Sequence, residues 1–465
     1  MNDRTKLFES EPIGRAVAKL AVPTVIGQII LVLYNMADTF FLGLTGSDAS
    51  ITAATVCMPA FMFLSAVSNL FGVGGASAAA RAMGSGDRGR AAKAASFAVW
   101  GCAAATLIYS LAAYFFRDGA VNLLGGSNAS VHESACVYLF WTVTVGGMAT
   151  SLSALLAHLA RAEGRSMQAG FGVALGGVLN IALDPLFMFV LLEPGNEVMG
   201  AAVATLLSNV ISCAYFLILR AAHRKKSALT LRPMTVDGSV AAEVLGVGLP
   251  ACLMTLFENV SYALLDNRMA LQGTAMQAGL GVAKKVNMLA HCMARGMAQG
   301  VLPLIAYNYA AKRYDRMRAA IRLSTAASVA LAGACMAVNL TLSRPLISLF
   351  IPHGGLSVTC GAKCLRILSL GGPFSACAYA FISFFQAVGE SKKSFLLAIL
   401  RKGVLDIPMM FALERLLPVY GIVWATPLTD MVCCVAAVDL FLRFSRTLPA
   451  AKHRAVRHEI EHQHS

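Results

Sequence analysis

Three acids and one amide stand inside stretches that are otherwise apolar. Asp38 lies fifteen residues after Pro23 in one hydrophobic run, Asn180 and Asp184 lie in another, and Glu258 follows Pro250 by eight residues in a third. An ionisable group at the centre of a bilayer costs roughly 3 kcal/mol on insertion scales, so each acid needs a proton, a cation or a fixed partner. The i, i+4 spacing of Asn180 and Asp184 puts both on one helix face. Pro185 follows, removing a backbone donor, freeing a carbonyl and permitting a kink. Amide and hydroxyl oxygens, such as those of Asn180 and of Thr205 in the next run, are hard ligands that suit Na⁺. On the residues alone, a structural role remains open, in which Asp38 and Asp184 bond neighbouring hydroxyls and lock helices together.

The elements that must position these groups are membrane helices. The chain has 465 residues, 57% of them hydrophobic and only 13% charged, with a mean hydropathy of +0.67. Ordinary soluble domains are about a quarter charged. Apolar stretches long enough to cross a ~30 Å hydrocarbon core recur along the whole length. They predict an all-α polytopic protein with helices at 17–43, 51–80, 91–116, 134–159, 167–192, 198–221, 240–268, 277–309, 319–349, 360–387, 394–413 and 420–443. The net charge of +14 is explained by loops on one side rather than by nucleic acid. Loops after the even-numbered helices hold clusters such as Arg81, Arg88, Arg90 and Lys93, or Lys312, Arg313, Arg316 and Arg318, whereas the opposite loops hold at most single arginines. That asymmetry predicts both termini on the cytoplasmic side of an inner membrane. The N-terminus shows no cleavable signal pattern, and the last thirteen residues, with His453, His458, His462 and His464, read as a soluble tail.

The chain repeats itself. Pro23 aligns with Pro250, Asp87 with Asp315, GVLNI at 177–181 with GVLDI at 403–407, and GAAVATLLSN at 200–209 with GIVWATPLTD at 421–430. Each copy has six helices, so the copies share one topology and are related by an axis along the membrane normal. This is the parallel-repeat plan of transporters that rock about a central interface. The division is residues 1–221 as the first lobe, 222–239 as a basic linker, 240–446 as the second lobe and 447–465 as the tail.

The remaining polar groups carry less signal. Gln28, Asn35, Tyr138, Lys284 and His291 are candidates for lining a central cavity and contacting a cation or substrate, though such groups more often bond helix to helix. His291 is also a candidate proton relay. Glu258 is placed to pair with Lys284 or Lys285, or to attract a cationic substrate. The twelve cysteines have no metal-binding spacing and read as small buried hydrophobes. No GxxxxGK[ST], HExxH or GxSxG occurs, which argues against ATP as energy source and against an enzyme.

YNMADTFFLG at 34–43, GVGGASAAARAMGSGD at 72–87, RAEGRSMQA at 161–169, LNIALDPLF at 179–187 and PLIAYNYAA at 303–311 resemble the MATE (multidrug and toxic compound extrusion) family, on its DinF-like or MepA-like bacterial branch. The resemblance implies two six-helix lobes. It also implies that Asp38, Asn180, Asp184 and Thr205 converge in the first lobe to bind H⁺ or Na⁺. Two carboxylates in such a cavity cannot both stay ionised cheaply, so one holds a proton or both share a cation. The implied activity is cation-coupled export of small organic compounds by alternating access, with a monomer sufficient and no cofactor beyond the coupling ion. A NorM-like pattern adds Glu258 but expects a further acid in the tenth helix, which here has none. The alternative within the wider superfamily is a flippase for lipid-linked precursors, for which Lys284, Lys285 and Arg295 give some footing and the two first-lobe acids do not.

Overall fold

A backbone in hydrocarbon must satisfy its own N–H and C=O groups, and among the described residues this chain does so with helices alone. The computed structural model describes residues 3–45, 48–124, 129–193, 195–351 and 355–449. The histidine-bearing tail lies outside them. In the first lobe, α1 is Asp3–Glu9, α2 Ile13–Leu44, α3 Asp48–Gly84, α4 Arg88–Phe115, α5 Arg117–Leu123, α6 Ala129–Leu139, α7 Gly147–Ala162, α8 Ser166–Leu186 and α9 Glu197–Ala222. In the second, α10 is Gly238–Ala270, α11 Thr274–Ala310, α12 Tyr314–Ser348, α13 Leu356–Leu370, α14 Gly372–Val388, α15 Ser391–Ile399, α16 Asp406–Leu416 and α17 Gly421–Thr447.

Eight of these spans are individually long and apolar enough to cross a membrane. The pairs α6–α7 and α13–α14, bent by 48° and 42°, make two more. The twelve are completed by α11, with Lys284, Lys285 and Arg295 along it, and by α15–α16, with Arg401 and Lys402 between them. The predicted boundaries hold to within a few residues. Side chains such as Ile108, Val190, Ile218 and Val435, 69–71% exposed, form the lipid-facing surface.

Three spans contain a π turn that periodicity does not announce, at Phe140–Val145, Phe187–Leu191 and Leu400–Val404. Such turns are frequent at functional sites. The second begins two residues after Pro185, and the third carries Lys402. The polar N-terminus is also more than a loop. It forms α1 and docks on the second lobe, where Phe8 stacks on Tyr307 at 5.1 Å and the Phe8 carbonyl accepts from Arg316 Nε at 2.7 Å.

The lobes meet on one half only. Toward the end bearing the basic loops, one apolar core runs through α2, α3, α10, α11 and α14 of both lobes. Toward the opposite end each lobe has a separate core. The crossing of α3 and α10 is closed by glycine. A Cβ on Gly248 would lie 1.7 Å from the Leu70 carbonyl oxygen. Gly248→Val is therefore expected to force the helices apart, at about 1–3 kcal/mol or more, and to reduce the monodisperse fraction in detergent. Gly333→Val, where a Cβ meets open space, should be neutral in the same measurement.

Candidate functional site

The first-lobe site is built where α8 lies close along α2. Gly170 permits this, since a Cβ there would fall 2.3 Å from the Pro23 carbonyl oxygen. With α9 packed on α8, four side chains from three helices are brought together: Asp38, Asn180, Asp184 and Thr205, all buried. The Asn180 amide donates to Asp184 Oδ1 at 3.2 Å and to Thr205 Oγ1 at 3.3 Å. Asp38 is near enough to Asp184 for the two carboxyls to interact electrostatically. Asp38 Oδ1, Asn180 Oδ1 and Asp184 Oδ2 are buried with no hydrogen-bond partner among the described residues. An unsatisfied buried polar atom costs about 1–3 kcal/mol. Three such oxygens in one cluster form a donor set suited to a proton or a hard cation.

Tyr138 belongs with this cluster, within electrostatic range of both carboxyls. So does Tyr34, one helical turn before Asp38, which sequence reasoning missed although it opens the YNMAD block. Asn35 instead donates to the Leu31 carbonyl of its own helix at 2.7 Å. Gln28 is half-buried about 15 Å down α2 from Asp38, outside the cluster.

The second lobe is organised differently. Glu258 pairs with Arg295 at 2.7 Å and accepts from the Tyr379 hydroxyl at 3.2 Å, rather than pairing with Lys284 or Lys285. Lys284 is bonded to Asp266 at 2.5 Å. His291 Nδ1 lies 3.1 Å from Ser375 Oγ, which also accepts from Arg401 at 2.8 Å. Arg401 pairs with Asp430 at 2.8 Å, and Lys402 with Asp406 at 3.0 Å. These last four are essentially inaccessible to solvent. Sequence reasoning overlooked Arg401, Lys402 and Asp430. The signal was the Lys402–Asp406 spacing of four inside the eleventh helix.

A family profile described as MatE matches the chain over residues 23–186 and again over 250–412, one segment in each lobe, beginning at the paired prolines. The chain belongs to the MatE family. The multidrug export protein MepA of Staphylococcus aureus (strain MRSA252) is 26% identical to this MatE chain, covering 93% of it and 94% of the relative. MepA of Staphylococcus saprophyticus is also 26% identical with the same coverage. A crystal structure of MATE in complex with MaD3S superposes with a TM-score of 0.87 at 23% identity, covering 96% of this chain and 99% of that one. An outward-facing multidrug resistance MATE family transporter gives 0.85 at 23% identity, with the same coverage. The MatE fold is thus the two-lobed, twelve-helix architecture found here.

Proposed function

We propose that this MatE chain exports small organic compounds in exchange for H⁺ or Na⁺ bound among Asp38, Asn180, Asp184 and Thr205. The observation that carries the reading is the set of three buried, partnerless oxygens in the first lobe. The multidrug export proteins among its relatives support the class of cargo. The basic end faces the cytoplasm, because Lys- and Arg-rich loops are retained there. Lobes joined at that end and separate at the other then correspond to an outward-open state.

In this state the coupling cation reaches the first-lobe site from outside and re-packs α2 against α8. A cation can shift the equilibrium between states only by its differential affinity for them. One charge crossing ~100 mV supplies about 2.3 kcal/mol, before any concentration gradient. Lys285 acts electrostatically on Asp38 from α11, across the lobe boundary. A cation neutralising Asp38 weakens that attraction and helps the lobes move. Glu258 is neutralised by Arg295 and serves as part of a fixed network, not as a second coupling acid. Both lobes and their cleft lie in one chain, so a monomer in the bilayer suffices.

The test is efflux of a cationic dye from vesicles carrying the purified protein, under separately imposed H⁺ and Na⁺ gradients. One gradient should drive export, and Asp38→Asn should reduce gradient-driven export at least tenfold. Wild-type rates in Asp38→Asn would exclude the coupling role. Absence of transport under both gradients, with the protein folded, would favour a lipid-linked substrate.

A further inference from the structure

The internal repeat allows the first-lobe cation site to be superposed, residue by residue, on its counterpart in the second lobe. The register that aligns GVLNI with GVLDI and GAAVAT with GIVWAT pairs Asn180 with Asp406 and Thr205 with Thr426. It pairs Asp184 with Met410, and the paired prolines set Leu265, the neighbour of Asp266, opposite Asp38. Leu265 and Met410 are both fully buried in one apolar cluster. The counterpart of Gly176 is Lys402. Its ammonium is 3.0 Å from Asp406 Oδ2, which also accepts from Ser261 at 2.5 Å, while Thr426 Oγ1 is 3.5 Å from Asp406 Oδ1. The Tyr262 ring lies 5.4 Å from the ammonium. In one lobe, then, an oxygen cluster has three atoms without partners. In the other, the matching position holds one carboxylate that accepts from two hydroxyls and from a lysine ammonium.

We infer that Lys402 is a tethered cation occupying the second-lobe counterpart of the coupling site, so that each chain carries one exchangeable cation site where the repeat would provide two. This rests on the first-lobe reading above. The consequence is that removing the lysine charge while keeping Asp406, Ser261 and Thr426 uncovers a second site for the cation species that the first lobe takes. The lobes therefore differ in role: the first responds to the cation, and the second is held in one electrostatic state throughout the cycle.

The experiment counts cations on the purified full chain. Na⁺ bound is measured at alkaline pH, and protons taken up are measured between alkaline and mildly acidic pH. Wild type should bind one more than Asp38→Asn/Asp184→Asn, the difference removing the histidines that titrate in both. Lys402→Met should bind one more of the same species, lost again in Lys402→Met/Asp406→Asn, which carries no buried charge at this position and serves as the folding control. Should Lys402→Met give little folded chain, its melting temperature in detergent should rise with cation concentration at constant ionic strength, and the double variant's should not. Wild-type counts in folded Lys402→Met, or an extra cation that survives Asp406→Asn, would overturn the inference. A wild-type count equal to that of the Asp38/Asp184 variant would instead remove the first-lobe reading.

A second inference stands on a separate cluster, at the end opposite the basic loops. Asp118 of α5 and His132 and Cys136 of α6 converge, with Oδ1–Nε2 3.4 Å, Oδ1–Sγ 3.4 Å and Nε2–Sγ 3.6 Å. Zinc bonds of ~2.3 Å to sulfur and ~2.0 Å to nitrogen or oxygen, at tetrahedral angles, require ligand edges of about 3.5 and 3.3 Å. The three edges fit one face of such a tetrahedron, and the geometry points to a site for a borderline divalent cation such as Zn²⁺, joining α5 to α6. Co²⁺ added to the purified, untagged chain should give a thiolate-to-cobalt charge-transfer band, absent in Cys136→Ser and at least tenfold weaker in affinity in His132→Ala. The tail histidines cannot produce that band. Its absence in wild type, or its persistence in Cys136→Ser, would overturn the site.

Discussion

Arg401→Met is expected to destabilise the folded chain by about 3–5 kcal/mol, the range seen when one partner of a buried ion pair is removed. The guanidinium donates to Asp430 Oδ1 and to Ser375 Oγ, each at 2.8 Å, and stacks 4.2 Å over Tyr379. Its removal leaves Asp430 charged at 1% exposure, with no other cation bonded to it among the described residues. Ser375 also loses the donor that fixes it beside His291. The measurement is the melting midpoint in detergent, read with the folded yield. Arg401→Met/Asp430→Leu should recover most of the loss, because replacing both partners of a buried pair by apolar groups is often close to neutral. A double variant no better than the single would mean that the pair fixes helix register as well as charge. Asp430 also illustrates the asymmetry of the repeat. Its first-lobe counterpart is Asn209 and that of Arg401 is Leu175, so the first lobe has neither charge at these positions.

The helices and the repeat were readable because they follow from one-dimensional physics. A span needs about twenty apolar residues, and a six-helix copy preserves its prolines and glycines at a nearly constant offset. The first-lobe polar cluster was readable for a related reason. Asp38, Asn180 and Asp184 stand out against an apolar background, and the family blocks imply their convergence. The second lobe was less legible. There the polar groups come as matched charges, and which cation faces Glu258 depends on how α10 and α11 cross. Lys284, Lys285 and Arg295 all lie on α11, and only the crossing selects Arg295. The docking of α1 was hidden too, since the short segment DRTKLFE reads as polar and its one buried aromatic, Phe8, shows its purpose only against Tyr307. The Asp118–His132–Cys136 cluster was hidden because Asp118 lies in α5, a short helix that no apolar run announces, and only folding brings it to the start of the bent α6–α7 span.

Glu243→Gln should shift the chain measurably away from the closed basic end. Glu243 of α10 accepts from Arg81 at 2.8 Å and from Arg90 at 2.7 Å, so one second-lobe carboxylate holds two first-lobe arginines. Arg81 reaches further, donating to the Ala387 carbonyl of α14 at 2.9 Å. The Lys93–Asp237 pair beside it, where the ammonium holds the Asp237 carboxyl below the usual carboxylate range, is exposed and contributes little. Charge-assisted hydrogen bonds contribute about 1.5–3 kcal/mol each, so losing the carboxylate should move the ratio of closed to open basic ends by roughly tenfold or more. Arg81→Met should move it further, because the contacts to α14 go with it. Spin labels at Arg88 and Ser239, both exposed at the basic end on opposite lobes, would report the change as a new, longer distance population. High salt should reproduce part of the effect, since Glu243 is 23% exposed. An unchanged distance distribution in both variants would assign closure to the shared apolar core and the Gly248 crossing. The arginines would then align the lobes once they have met, and the cation would have only packing, not an ionic latch, to work against.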